Sequence, residues 1–82
     1  MQLDWAKLKS AIERGITSAE RGERGSLRVH CGSAERMLKG VKTAEGKEVL
    51  DKVHHAGVSI DLAKAVEYLQ AALQTANAQV GA

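Results

Sequence analysis

The last third of the chain carries the strongest pattern in the sequence, a row of apolar residues at helical spacing. The row advances in steps of 4, 3, 4, 3 and 4, close to the seam of a coiled coil. Its members are Leu62, Val66, Leu69, Leu73, Ala76 and Val80. No charged side chain follows Glu67. Because a helix that faces water on one side usually carries Lys and Glu there, we expect this amphipathic helix to be covered on more than one side.

The rest of the chain also favours helix. Proline is absent, and Ala, Leu, Glu, Lys and Arg are abundant. A first helix is predicted from about Asp4, as its N-cap, to Arg21. A third begins with Thr43 as its cap and stops at Gly57, and a fourth begins near Ser59. The sequence leaves open whether the third and fourth fuse into one continuous helix.

The segment 26–39 has two interpretations. Apolar residues follow helical steps of 4, 3, 4 and 3 at Leu27, Cys31, Ala34, Leu38 and Val41. The alternation of Leu27, Val29 and Cys31 over residues 27–31 would instead suit a short strand. We favour a helix, because no second strand is available in the chain to pair with it.

Large apolar side chains are scarce in this chain. It has thirteen alanines, one Trp, one Tyr and no Phe. A chain of 82 residues fits one domain, 1–82, and buries only about 60% of its unfolded surface. The lone cysteine excludes an intramolecular disulfide. We therefore expect an all-α bundle of three or four helices, assembled into a homo-oligomer with the C-terminal seam at the interface.

Catalytic and metal-binding patterns are weak. Residues 40–47 nearly spell a phosphate-binding P-loop, but Glu48 stands where a magnesium-binding Ser or Thr is required. His54 and His55 point about 100° apart on a helix, so the two cannot easily face one ion. We interpret Cys31 as a buried structural thiol on an apolar helix face. The sequence therefore predicts no catalytic residue, no metal site and no cofactor.

Positive charge concentrates between residues 21 and 42. Six cations against Glu23 and Glu35 make this stretch +4, whereas the rest of the chain is −2. The cations are Arg21, Arg24, Arg28, Arg36, Lys39 and Lys42. Arginines near helix starts suit phosphate groups. Two observations oppose this use: the stretch has no aromatic residue for base stacking, and Glu35 with Lys39 has the i to i+4 spacing of a solvated helix face.

Two functions follow from these patterns. The preferred one is a small non-enzymatic interaction protein (a regulator, inhibitor or adaptor) that acts on a protein partner through helical surface and self-association. The alternative is binding of nucleic acid or a phosphorylated small ligand through the basic stretch. No run of 18 apolar residues is present, and the mixed-charge N-terminal segment is unlike a signal peptide. We therefore expect a soluble, cytoplasmic protein that does not associate with a membrane.

Overall fold

The structure is a computed structural model that describes residues 3–81, and it contains four α-helices. They are α1 (Trp5–Glu20), α2 (Arg24–Leu38), α3 (Ala44–Val58) and α4 (Leu62–Gly81). The prediction of an all-α bundle is confirmed. Residues 27–31 are helical, as favoured, and within the described range no strand is present. The third and fourth predicted segments are separate helices, because the chain leaves helical geometry at residues 59–61.

Side-chain caps begin three of the helices. At α4, the Asp61 carboxylate accepts a hydrogen bond from the Ala63 amide at 2.9 Å. The caps of α1 and α3 are the two that the sequence predicted. The Asp4 carboxylate accepts a hydrogen bond from the Lys7 amide at 3.1 Å at the start of α1. The Thr43 hydroxyl accepts one from the Gly46 amide at 3.1 Å at the start of α3. Each bond satisfies an amide that has no partner inside its helix, and both predicted caps are confirmed. The helix α2 begins at Arg24, two residues before the predicted start.

The predicted helix stop at Gly57 lies one residue before the observed end of α3. The helix α3 runs through Gly57 to Val58 and ends with Ser59 as its C-cap, and α4 begins at Leu62 rather than near Ser59. A Cβ atom on residue 57 would lie 3.2 Å from the Cβ atom of Cys31. Gly57 therefore serves the close approach of α3 to α2 in the last turn of α3.

The helices form a closed ring in which α1 contacts α2 and α4, and α3 contacts α2 and α4. Loops of three to five residues connect neighbours, which is the arrangement of an antiparallel up-and-down bundle. The Arg24 side chain links the start of α2 to the α3–α4 loop. The Arg24 guanidinium donates to the carbonyl oxygens of Ser59, at 3.0 Å, and Ile60, at 2.6 Å.

Small side chains make up much of the core. Seven of the fifteen buried apolar residues in the described chain are alanines. The largest fully buried side chains are Leu8, Ile12, Leu27, Leu38, Val49, Val53 and Leu69. A Cβ atom on Gly15 of α1 would lie 3.1 Å from a methyl group of Leu69 in α4. The absence of bulk at such positions brings the helix backbones close together.

Candidate interaction surface and basic groove

The six residues of the predicted seam in α4 lie at three different depths. Leu69 and Ala76 are buried in the chain's own core, Leu62, Val66 and Leu73 are half-buried, and Val80 is 43% exposed. The stripe of α4 that faces the core consists of Ala65, Leu69, Ala72 and Ala76. At 100° per residue, the centre of this stripe is rotated about 50° around the helix from the centre of the predicted seam.

The two flanks of α4 face different neighbours. On one flank, the Tyr68 ring lies 5.4 Å from the His55 ring of α3, and the Lys52 amino group lies 5.9 Å from the centre of the Tyr68 ring. The opposite flank, with Val66 and Leu73, therefore lies on the side of α1. These side chains cover the edge of the core and remain partly exposed.

The outer surface of α4 beyond Glu67 has no charge. It consists of exposed and half-buried residues that lie on one continuous side of the helix. We call these residues the uncharged face: Gln70, Leu73, Gln74, Asn77, Ala78 and Val80. The exposed surfaces of α1, α2 and α3 each carry Lys or Arg together with Glu. The uncharged face is therefore a distinct surface on this bundle.

The six cations of the basic stretch do not form one patch. Arg24 lies at the start of α2, where it is held by carbonyl groups of the α3–α4 loop. Arg36 lies twelve residues later, a rise of about 18 Å along the helix. Arg21 is near the Arg24 end, whereas Lys39 and Lys42 follow Arg36 at the opposite end of the bundle. The structure therefore divides the predicted phosphate-binding residues between the two ends of α2, with Arg28 exposed between them.

Three of the six cations line a groove at one end of the bundle. The groove has a volume of about 860 Å³. We call it the end groove, and its lining residues are Leu3, Trp5, Arg36, Met37, Lys39, Gly40, Val41, Lys42 and Thr43. Among the residues that the structure describes, none of those lining it is acidic. A smaller groove of about 450 Å³ between α1 and α2 is lined by both charges, including Glu13, Arg14 and His30.

Trp5 is the site residue that sequence reasoning missed. It precedes the basic stretch by more than fifteen residues, yet the start of α1 brings it to the groove that Arg36, Lys39 and Lys42 line. Residues 21–42 contain no Phe, Trp or Tyr, so the basic stretch itself gives no sign of an aromatic neighbour. No local pattern signals this contact, since it depends on how α1 packs against the α2–α3 loop.

Cys31 and the histidines are explained by local contacts. Cys31 is buried beside Gly57, and burial first, with the charge of Glu35 second, raises the pKa of its thiol from 9.0 to about 11. His54 Nδ1 lies 3.1 Å from a Glu35 carboxylate oxygen, and His55 Nδ1 donates to the backbone carbonyl of Asp51 at 2.7 Å. Within residues 3–81, no group of three His, Cys, Asp or Glu side chains converges on a point where a metal ion would fit.

The segment that nearly spells a P-loop is a connection between two helices. Residues 40–43 leave α2 and enter α3, whereas a P-loop follows a strand. A Cβ atom on Gly46 would overlap the side chain of Val41, so this glycine makes room for the loop to fold back on α3. The geometry is that of a helix–loop–helix turn whose residues border the end groove.

Comparison with known proteins gave no match: no family model, no curated protein and no solved structure is similar to this chain. None of the four described helices combines the length and the apolar character needed to cross a bilayer. Function is therefore inferred from the uncharged face and the end groove.

Proposed function

We propose that this chain is a small non-enzymatic interaction protein that pairs with a second copy of itself through the uncharged face of α4. In this role it serves as a regulator, inhibitor or adaptor whose working surface is helical. The observation that carries the proposal is the lack of charge on the exposed side of α4 from Gln70 to Gly81. Water-facing helix surfaces normally carry charged residues, as the other three helices here do.

A second copy suits this face better than an oppositely charged partner does. In a two-fold dimer the same residues meet from both subunits, so any net charge on the face would repel its copy. The uncharged face escapes that repulsion and offers amide groups that both donate and accept hydrogen bonds. The exposed Val80 and the half-buried Leu73 and Val66 add apolar area along its edge. Pairing also supplies buried surface to a chain whose own core is small.

Placing one positive charge on this face tests the proposal. Asn77→Arg puts like charges opposite each other in a two-fold dimer, and it leaves the monomer intact because a cation suits the last turns of a helix. We expect wild-type chains to dimerise in light scattering and native mass spectrometry, and we expect Asn77→Arg to weaken the dimer at least about tenfold. Thr17→Arg is the matched control, since Thr17 is exposed near the end of α1.

The proposal also predicts that thermal unfolding depends on protein concentration. A dimer gains stability by mass action, so its unfolding midpoint rises with concentration, and Asn77→Arg removes this rise whereas Thr17→Arg keeps it. A wild-type chain that is monomeric up to about 1 mM would overturn the proposal. So would an Asn77→Arg variant that assembles as tightly as the control.

A further inference from the structure

The end groove brings an aromatic residue from the start of the chain together with the cations of the α2–α3 region. Trp5 and Met37 give it apolar lining, and Arg36, Lys39 and Lys42 give it positive charge. Arg36 and Lys39 are three residues apart, which places the bases of their side chains about 5–6 Å from each other. The groove is therefore suited to a ligand that carries a compact anionic group next to a flat apolar group.

We infer that the end groove binds a nucleotide, with its base against Trp5 and Met37 and its phosphates against Arg36, Lys39 and Lys42. A base that stacks on an aromatic side chain contributes about 1–3 kcal/mol by alanine substitution, and every base has a face that can do so. A di- or triphosphate carries several negative charges, and three cations line the groove. This inference does not depend on self-association through α4.

The geometry selects a free nucleotide over a nucleic-acid strand. The groove volume of about 860 Å³ falls within the range of about 300–1,000 Å³ that is typical of sites for single small ligands. A strand needs a basic track that continues beyond one ligand. Here the next cation along α2 is Arg28, which lies eight residues, or about 12 Å, from Arg36 and does not line the groove. Arg24, at the far end of the helix, donates its hydrogen bonds to Ser59 and Ile60.

An acidic peptide fits the groove less well. Carboxylates on an extended peptide are spread along the chain, with neighbours on one side of a strand about 7 Å apart, and each carries a single charge. Three cations around one groove suit a phosphate group, which accepts several charge-assisted hydrogen bonds at once. The N-terminal end of α3, whose cap Thr43 lines the groove, adds a partial positive charge of the same sign.

The inference concerns binding without hydrolysis. Glu48 occupies the position that would hold a magnesium-binding hydroxyl in a P-loop, so the chain lacks that ligand of a hydrolytic site. Residues 40–43 border the groove as a turn between helices, so their backbone amides do not form the phosphate cradle that follows a strand. We assign the nucleotide the role of a bound ligand, such as an effector, rather than a substrate.

The chain's one tryptophan provides a direct assay, because Trp5 lines the groove. We expect ATP to change the fluorescence of the full chain in a saturable way, with calorimetry as the second measurement. Inorganic tripolyphosphate, which has no base, is expected to bind at least about tenfold more weakly than ATP. Raising the salt concentration should weaken ATP binding, because phosphate contacts with exposed cations are screened.

Charge reversal in the groove is the decisive variant. Lys39→Glu with Lys42→Glu exchanges two exposed side chains and should weaken ATP binding more than about tenfold. Lys64→Glu, an exposed change of the same kind in the first turn of α4, should alter it less than about twofold. Circular dichroism of each variant establishes that it is folded. A folded groove variant that binds ATP as tightly as wild type would overturn the inference.

Comparing ATP with tripolyphosphate, an oligothymidylate and a polyglutamate peptide tests the choice of a free nucleotide as the ligand. No calorimetric or fluorescence response to ATP up to about 1 mM overturns the inference. A response to tripolyphosphate equal to that of ATP overturns the role of Trp5 and Met37. An oligothymidylate or a polyglutamate peptide that binds more tightly than ATP overturns the choice of a free nucleotide. The inference is supported if ATP binds more tightly than tripolyphosphate, the oligothymidylate and the polyglutamate peptide, and if its binding is lost on charge reversal.

Discussion

Burial of Cys31 makes a quantitative prediction about its reactivity. The side chain is 3% exposed, and the pKa of its thiol is raised from 9.0 to about 11, first by desolvation and second by the nearby charge of Glu35. The thiolate is the form that attacks alkylating reagents. At pH 8 the thiolate fraction is therefore about one in a thousand in the folded chain and about one in ten in the unfolded chain.

The expected result is an alkylation rate at pH 8 that is at least about 100-fold slower in the folded chain than in denaturant. Alkylation of the folded chain is slowed further because the reagent has little access to the buried sulfur. Iodoacetamide labelling followed by intact-mass measurement gives both rates on the same preparation. A folded rate within about tenfold of the denatured rate would refute the reasoning, because it would show a thiol that ionises and meets reagent much as it does in the unfolded chain.

The same pKa shift couples stability to pH. Because the folded chain holds the thiol proton more tightly, the unfolded chain loses that proton first as pH rises. The stabilisation, about 2–3 kcal/mol, is complete below pH 9 and is lost as pH rises through about 11. Cys31→Ala lacks this contribution, so its unfolding free energy should fall less than that of wild type between pH 9 and pH 11. Parallel curves for the two proteins in urea titrations would contradict the shift.

Three further substitutions, two of them paired with a comparison variant, test the packing. Leu69→Ala should lower the free energy of unfolding in urea by about 2–5 kcal/mol, because its side chain is 1% exposed, and a loss under about 1 kcal/mol would contradict this placement. Arg24→Ala should lower the free energy of unfolding by about 1 kcal/mol, or the thermal midpoint by about 4–8 °C, because two hydrogen bonds are lost. Arg28→Ala, at an exposed position on the same helix, should change the free energy of unfolding by less than about 0.5 kcal/mol. Gly46→Ala should destabilise the fold, because its new methyl group overlaps the side chain of Val41. Gly25→Ala has open space around it and should stabilise α2 by up to about 1 kcal/mol in the same thermal assay.

Local chemistry explains which parts of the fold were predictable. The caps at Asp4 and Thr43 were predicted because each depends on residues within one turn. The helical nature of α4 was equally clear from its spacing. The side of α4 that faces the core was not predicted, because the predicted seam followed the large apolar residues of the helix. The core instead faces a stripe that includes Ala65 and Ala72. Alanine fits both a core and a surface, so its position in the sequence does not reveal the buried side.

Contacts between distant segments explain what the sequence could not show. Gly57 lies near the end of α3, as predicted, but the sequence did not show that it also lies where α3 closely approaches Cys31 of α2. The end groove joins Trp5 to residues of α2 and the α2–α3 loop, and only the packing of the helices brings them together. The charge count of residues 21–42 was correct, but the division of those charges between two ends depends on the length of a helix.

The alanines of the core determine how this chain tolerates change. In a core of large side chains, the harmful substitutions are those that remove volume. Here a substitution such as Ala72→Leu adds volume at a position that is 1% exposed, and overpacking of that kind typically costs about 1–3 kcal/mol. Additional stability is more readily gained at the surface or by association than by enlarging the interior.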